Sequence, residues 1–270
     1  MTSLYTALCV MGPFSRALMQ KLTPEPVDSL RFPFMSCRKM DVACAPDILT
    51  MNLTHTGELG FIFYIPNEFA LHVYDAIIKA GHELGLKHCG YYAQRAVRIE
   101  KFFPFWGQDI DSYTTPVECG RVNLCKTKTD IDFIGRDAIM EQDKNGIKKM
   151  FVMLQLLPEH HRMDEDCWPW GGEPIYRKSH QDGESVFCGT VTTASYGFSI
   201  HRQVCLGFVQ DFSQGLDKPA FIDKKKFLDD GIFEVDIRGT KYPAEVHLTP
   251  KNLPPKVRRP GVVKRCNCHK

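Results

Sequence analysis

The residues best suited to chemistry lie in one stretch, RIEKFFPFWGQDIDSYTTPVE, at positions 98–118. Apolar residues at helical spacing predict a helix that reaches Glu100 and ends before Pro104 and Gly107. Four aromatic residues follow the carboxylate: Phe102, Phe103, Phe105 and Trp106. Because rings supply apolar area and a carboxylate accepts paired N–H bonds, the stretch favours a site for a planar amino-heterocycle. The alternative is that the aromatic residues belong to a core and Glu100 is a solvated helix residue.

The elements that must position this stretch form two predicted domains, since 270 residues with 43% hydrophobic content can bury a sizeable core. Residues 1–140 carry both helix and strand signals. The predicted elements are a helix from Gly12-Pro13 to Leu22, strands over 32–36, 47–53 and 61–65, and a helix capped by Asn67. Together with the helix that ends at Glu100, they predict a layered α+β domain.

The second half of the chain has a different pattern. A charged connector over 141–149 precedes strands and turn signals that alternate at close spacing over 150–249, with last strands at 231–238 and 242–247. This pattern predicts a small antiparallel β-barrel or sandwich. Residues 250–270 carry prolines and basic residues without a single acid, which predicts a disordered basic tail.

Charge and cysteine usage exclude several classes of function. The formal charge of +2 gives no whole-chain attraction for nucleic acid, and no apolar run is long enough to span a membrane. Eleven cysteines without framework spacing predict reduced thiols in a non-secreted protein. Neither the CNCH sequence at 266–269 nor His160-His161 offers the complete ligand set of a zinc ion, so no metal site is predicted.

Several motifs resemble the folate-binding family of the glycine cleavage T-protein, the aminomethyltransferases. They begin with Arg98-Ile99-Glu100, GQDI at 107–110 and TTPVE at 114–118. HTGELGFIFYIP at 55–66, DFIGRDAI at 132–139, GGEPIYR at 171–177 and GTVTTASYGFSI at 189–200 also follow the order of the family. The resemblance implies part of a folate-binding α+β domain over 1–140, followed by an antiparallel β-barrel domain over 150–249.

The resemblance also implies tetrahydrofolate as the ligand and Glu100 as the acid that hydrogen-bonds its pterin. Trp106, Phe105 and Tyr196 are the other candidates for the pocket wall. Asp109 and Glu118 are expected to organise turns through backbone hydrogen bonds. As alternatives, Glu100 caps the turn over 106–109 and the aromatic residues are plain packing. Lys126 and Lys128 lie either near the folate carboxylates or in a solvated basic loop.

Positions 99–109, IEKFFPFWGQD, are most similar to a regulatory branch of the family, the regulatory subunits of pyruvate dehydrogenase phosphatase. The resemblance implies a non-catalytic protein of the mitochondrial matrix whose partner is the catalytic subunit of that phosphatase. No presequence is visible, so a cytoplasmic location is the alternative. No catalytic residue is assigned, because the catalytic aspartate of the family precedes the helix that opens at Gly12-Pro13.

On this resemblance the folate-binding domain is expected to be incomplete at its N-terminus, and the flavin domain of the family dehydrogenases is expected to be missing. Two other hypotheses stay open. One is a tetrahydrofolate-dependent aminomethyl- or methyl-transfer domain of the dimethylglycine and sarcosine dehydrogenase type. The other is a degenerate copy of the family that folds poorly.

Overall fold

A computed structural model describes residues 3–179 and 183–254 of the chain. By the contacts between its residues, the chain divides into two compact units, residues 1–94 and residues 95–253. The predicted domain boundaries at 140 and 150 stay predictions. The tail predicted over 250–270 lies almost entirely outside the described residues, which end at residue 254.

The first unit contains a four-stranded antiparallel sheet with two helices packed against it. The elements in chain order are β1 (Tyr5–Met11), α1 (Ser15–Leu22), β2 (Cys37–Val42), β3 (Ala45–Met51), β4 (Gly60–Pro66) and α2 (Asn67–Gly81). The strand order is β1-β4-β3-β2. The buried residues of α1 and α2, Leu18 and Val73 among them, share one core with Phe61 and Phe63 of β4. This core accounts for the helical spacing of apolar residues in both helices.

Three predictions for the first unit need correction. The predicted strand over 32–36 is wrong: Phe32 donates its N–H to the Asp28 carbonyl, and Met35 has a φ of 65°, so the chain turns there. Asn67 does not cap α2, because its side chain binds Ser3 and Thr6 instead. Helix α1 begins at Ser15, two residues after the predicted start. The predicted strands at 47–53 and 61–65 are confirmed as β3 and β4.

The second unit is built around a closed six-stranded barrel, which confirms the predicted antiparallel barrel. It begins with the last part of α3 (Tyr91–Glu100), followed by α4 (Arg136–Asn145), β5 (Lys149–Leu156), β6 (Pro174–Ser179), β7 (Ser185–Gly197), β8 (Arg202–Gln210), α5 (Lys224–Asp229), β9 (Gly231–Ile237) and β10 (Thr240–His247). The barrel order is β10-β5-β8-β7-β6-β9. Helix α4 continues to Asn145, so it occupies the first half of the predicted connector over 141–149.

Strand β5 is buried on both of its faces. Met150, Val152, Leu154 and Leu156 face the barrel core. Phe151 and Met153 belong instead to a second cluster, which they share with Ile99 and Phe102 at the end of α3. The ring of Phe102 stacks on that of Phe151 with a centroid distance of 4.9 Å. The continuous apolar run FVML in this strand follows from burial on both sides.

Strands β7 and β8 approach each other closely at two glycines. A Cβ atom built on Gly189 would lie 1.9 Å from the Phe208 carbonyl oxygen, and one on Gly207 would lie 2.5 Å from the Thr190 carbonyl oxygen. Only glycine fits at such distances. These two residues therefore fix how tightly the barrel closes.

In the described part of the chain, no helix is both long and apolar enough to cross a membrane.

Candidate functional site

The candidate site begins where α3 ends. The N–H groups of Lys101 and Phe103 both donate to the Arg98 carbonyl, and Phe102 has a φ of 59°, so the chain reverses directly after Glu100. A left-handed conformation is costly for a residue with a side chain. Here the buried ring of Phe102, 1% exposed, anchors the reversal in the cluster beside β5. Phe102 therefore belongs to a core, which was the alternative interpretation of the aromatic residues.

Glu100 points inward, with 4% of its surface exposed. Its Oε1 atom accepts the backbone N–H of Ser199 at 2.6 Å, so the helix end is tied to the turn that follows β7. A hydrogen bond to a charged group contributes about 1.5–3 kcal/mol when it is shielded from water. The carboxylate does not cap the turn over 106–109, which was the alternative. Its proposed contact with a pterin stays a prediction.

That turn is held by Asp109, as predicted. Its Oδ2 atom accepts the Phe105 backbone N–H at 2.8 Å and lies 2.7 Å from Nη1 of Arg98, and both members of this ion pair are buried. The Oδ1 atom accepts the hydroxyl of Thr192 on β7 at 2.6 Å. Nη2 of Arg98 donates to the side chain of Gln108 at 2.9 Å. The motif residues Arg98 and Asp109 therefore fasten the aromatic stretch to the barrel.

The TTPVE motif forms a single helical turn with reciprocal capping. The Thr115 N–H donates to the Glu118 carboxylate at 3.0 Å, and the Glu118 N–H donates to the Thr115 hydroxyl at 3.2 Å. Pro116 suits the first position of such a turn, where no N–H partner is needed. The expectation that Glu118 organises a turn is confirmed. Threonine followed three residues later by glutamate is a general sequence pattern for such a capped turn.

The other candidates for a pocket wall differ in exposure. Trp106 is 65% exposed, and Phe105 lies under the Arg98 guanidinium at 5.4 Å. Tyr196 is half-buried at the end of β7, where its ring contacts those of Trp168 and Phe198 at centroid distances of 5.8 and 5.2 Å. Lys126 and Lys128 are exposed, as a solvated loop requires. A role for Trp106 and Tyr196 in ligand binding stays a prediction.

Charges beside the aromatic stretch are set by local contacts. The Thr114 hydroxyl, helped by backbone N–H groups, keeps the pKa of Asp111 below its usual value. Burial lowers the pKa of Arg121, whose guanidinium donates to the Phe102 carbonyl at 2.7 Å. Burial also raises the pKa of the Cys119 thiol to about 11, so this cysteine is protonated at neutral pH. No reactive thiolate results.

A cavity of about 350 Å³ lies elsewhere on the barrel. Its lining includes Arg177, Phe187, Asp211 and Phe212, and it includes none of Glu100, Trp106 and Tyr196. Within residues 3–179 and 183–254, no group of three or more His, Cys, Asp or Glu side chains could hold a metal ion. The CNCH sequence at 266–269 lies outside the described residues.

Both halves of the chain match known domain families. Residues 1–129 match the GCVT N-terminal domain, and residues 151–251 match the glycine cleavage T-protein C-terminal barrel domain. The chain belongs to the glycine cleavage T-protein family.

Two curated T-protein relatives are similar along most of this chain. The mitochondrial pyruvate dehydrogenase phosphatase regulatory subunit of Mus musculus is 42% identical over 91% of the chain, which covers 27% of that relative. The mitochondrial sarcosine dehydrogenase of Mus musculus is 30% identical over 89% of the chain, which covers 24% of that relative. The chain therefore spans about a quarter of the length of these relatives.

A solved structure of the T-protein family shares the fold. The aminomethyltransferase T of the glycine cleavage system from Bartonella henselae superposes with a TM-score of 0.67 at 19% identity. The match covers 92% of this chain and 61% of that chain.

Sequence interpretation missed two residues that complete the site, Thr192 and Ser199. Both lie more than 80 positions from their partners, and no local signal marks them.

Proposed function

We propose that this chain is the T-protein-like part of a regulatory protein that binds a phosphatase and does not transfer one-carbon units. The observation that carries the proposal is the 42% identity to the phosphatase regulatory subunit, against 30% to sarcosine dehydrogenase over almost the same residues. The geometry supports it as well. Glu100, the acid that the sequence selects for ligand binding, accepts the Ser199 N–H and so holds the fold together.

The partner in this proposal is the catalytic subunit of pyruvate dehydrogenase phosphatase, and the proposed location is the mitochondrial matrix. The names of both relatives place those proteins in mitochondria. The proposed action is on the magnesium requirement of the phosphatase, through contact between proteins. Such an action needs a surface and no catalytic acid.

The test measures phosphatase activity against magnesium concentration, with and without the purified chain at micromolar concentration. The midpoint of the magnesium dependence is expected to shift when the chain is present and to stay constant with an unrelated protein of similar size. Light scattering of the mixture checks for a complex. An unchanged magnesium midpoint together with separate particles would overturn the proposal.

The second candidate function is a tetrahydrofolate-dependent transfer domain. The buried position of the Glu100 carboxylate at the end of α3 favours it, because a carboxylate shielded from water binds N–H donors strongly. If the chain binds tetrahydrofolate through Glu100, Glu100→Ala removes at least one charge-assisted hydrogen bond, and the loss of one such bond is the minimum expected effect. Binding measured by calorimetry is then expected to weaken by roughly 10- to 150-fold.

The control for this titration is Glu83→Ala, which removes an exposed carboxylate that pairs with Lys21. Its affinity for tetrahydrofolate should equal that of the unchanged chain. Circular dichroism verifies that Glu100→Ala still folds, since the same carboxylate also holds Ser199. If Glu100→Ala binds tetrahydrofolate as strongly as the unchanged chain, Glu100 is not part of the binding site. If the unchanged chain does not bind tetrahydrofolate, the hypothesis of a transfer domain is wrong.

A further inference from the structure

One exposed group of aromatic rings is not explained by the fold. Trp168 in the loop over 157–173, Tyr196 at the end of β7 and Phe198 just after it contact one another in a row. We call these three residues the aromatic surface. Phe198 is 60% and Trp168 38% exposed. Contiguous exposed rings of this kind mark interaction sites, and Trp and Tyr are enriched among the residues that dominate binding energy.

The loop that carries Trp168 is held in place before any partner binds. The indole N–H of Trp168 donates to the Met163 carbonyl at 2.8 Å, and the Tyr242 hydroxyl donates to Asp166 at 3.0 Å. The ring of His161 packs edge-on against Tyr242 at 4.9 Å. A surface ordered in advance loses little conformational entropy on binding. The aromatic surface is therefore suited to stable recognition.

The charge of the loop identifies the chemistry of the partner. Residues 157–173 contain five acids and one arginine, whereas the whole chain has a formal charge of +2. Glu159 and Asp164 are exposed. The backbone N–H of Arg162, together with the Tyr242 hydroxyl, lowers the pKa of Asp166, so this acid is charged at neutral pH. A negatively charged loop beside exposed rings complements Arg or Lys side chains, which bind carboxylates and also stack on aromatic faces.

The same loop already shows this chemistry within the fold. The guanidinium of Arg95 lies 4.2 Å from the ring centre of Trp170, two residues from Trp168. A guanidinium and an indole of this loop are thus stably paired, with Arg95 itself 5% exposed. Trp168 presents a second indole of the same loop at the surface, beside Tyr196.

A buried amide next to the aromatic surface also favours a partner that carries hydrogen-bond donors. Gln203 on β8 lies directly opposite Tyr196 on β7, so both side chains are on the same face of the sheet. Gln203 is 2% exposed, and among the described residues neither its Oε1 nor its Nε2 has a hydrogen-bond partner. A buried amide without partners is costly. A donor group that enters beside Tyr196 would supply the missing bond to Oε1.

We propose that the aromatic surface and the acids of the loop over 157–173 bind an Arg- or Lys-bearing segment of a partner protein. The identification of that partner as the phosphatase rests on the proposed function. The chemistry of the surface does not rest on it. The two are therefore tested by separate measurements.

The first measurement follows the fluorescence anisotropy of the labelled peptides GRGRGRGR, GKGKGKGK and GEGEGEGE in 0.15 M salt. The two basic peptides are expected to bind and the acidic peptide is not. Trp168→Ala and Phe198→Ser should each weaken binding of the arginine peptide by about 3- to 30-fold, because each removes a stacking face. Asp164→Asn should weaken it less, because an exposed charge is screened.

Matched controls distinguish a site from general attraction to acids. Tyr113→Ala removes another exposed ring of this unit, and Asp137→Asn removes an exposed acid of α4; neither should change peptide binding. Equal losses in controls and surface variants, or no loss in Trp168→Ala, would overturn the proposal.

Residues 255–270 hold six basic residues and no acid. A large gain in peptide affinity after their removal would show that the chain binds its own end, which also overturns it.

The second measurement repeats the magnesium assay of the phosphatase with Trp168→Ala and Phe198→Ser. If the unchanged chain shifts the magnesium midpoint and both variants do not, the surface contacts the phosphatase. If all three shift it equally, the proposed function stands but the surface does not contact the phosphatase, and the peptide measurement alone decides the inference. If the unchanged chain has no effect, the proposed function fails, and the peptide measurement alone decides the inference.

Discussion

Replacing Asp109 by alanine is expected to lower the free energy of unfolding by about 3–5 kcal/mol. The substitution removes the partner of Arg98, which is 2% exposed, and leaves a guanidinium charge without its carboxylate. It also removes the acceptor for the Phe105 N–H and the Thr192 hydroxyl. Urea unfolding followed by circular dichroism measures the loss.

The control for Asp109→Ala is Glu83→Ala, which breaks the exposed pair with Lys21 and should leave the urea midpoint unchanged. The double variant Arg98→Ala, Asp109→Ala is expected to lose less than the sum of the two single losses, since no charge remains buried. A loss below about 1 kcal/mol for Asp109→Ala would contradict the role of this network.

Replacing Gly189 by alanine is expected to cost at least about 3 kcal/mol, the upper end of the range for overpacked sites. The new methyl group would lie 1.9 Å from the Phe208 carbonyl oxygen and 3.1 Å from Cα of Val209. Gly189 pairs with Ile175 on β6 and Val209 on β8, so the backbone cannot move away from one strand without approaching the other. The temperature of thermal unfolding is the measurement.

Gly90 provides the matched substitution. An alanine Cβ there meets no atom within 4 Å. Because Gly90 precedes α3, Gly90→Ala is expected to cost no more than about 1 kcal/mol. Equal melting temperatures for the two variants would mean that the barrel can relax around an added methyl group at residue 189.

Sequence could predict the architecture because the signals for it are local. The turns and short strands over 150–249 predict a barrel, and the spacing of apolar residues predicts α2 and α3. The predicted strand over 32–36 failed because its apolar residues do not share a face. Phe32 is 1% exposed, whereas Phe34 and Met35 are 56% and 65% exposed. Helix α5 is only six residues long, too short for a helical period to show.

The candidate site could be predicted only in part, because some of its contacts join residues that are far apart in the sequence. The sequence indicates the inward direction of Glu100 through its spacing of four residues from Ala96, which is also buried, although Val97 on the same predicted face is exposed. Its partner Ser199 and the partner of Asp109, Thr192, reach the site through the register of β7 in the barrel. That register depends on strand pairings along the whole barrel, so the sequence at positions 98–118 contains no signal for it. The exposure of Trp106 also depends on the fold, since an aromatic residue suits a core equally well.

The double-sided burial of β5 has a consequence for biosynthesis. Residues 150–156 have no water-facing side in the folded unit, yet they leave the ribosome about 50 residues before β8, the neighbour that covers one edge. For that interval the nascent chain displays a seven-residue run without charge, a composition that promotes association between chains. The run therefore stays open to association with other chains until residue 210 has been synthesised.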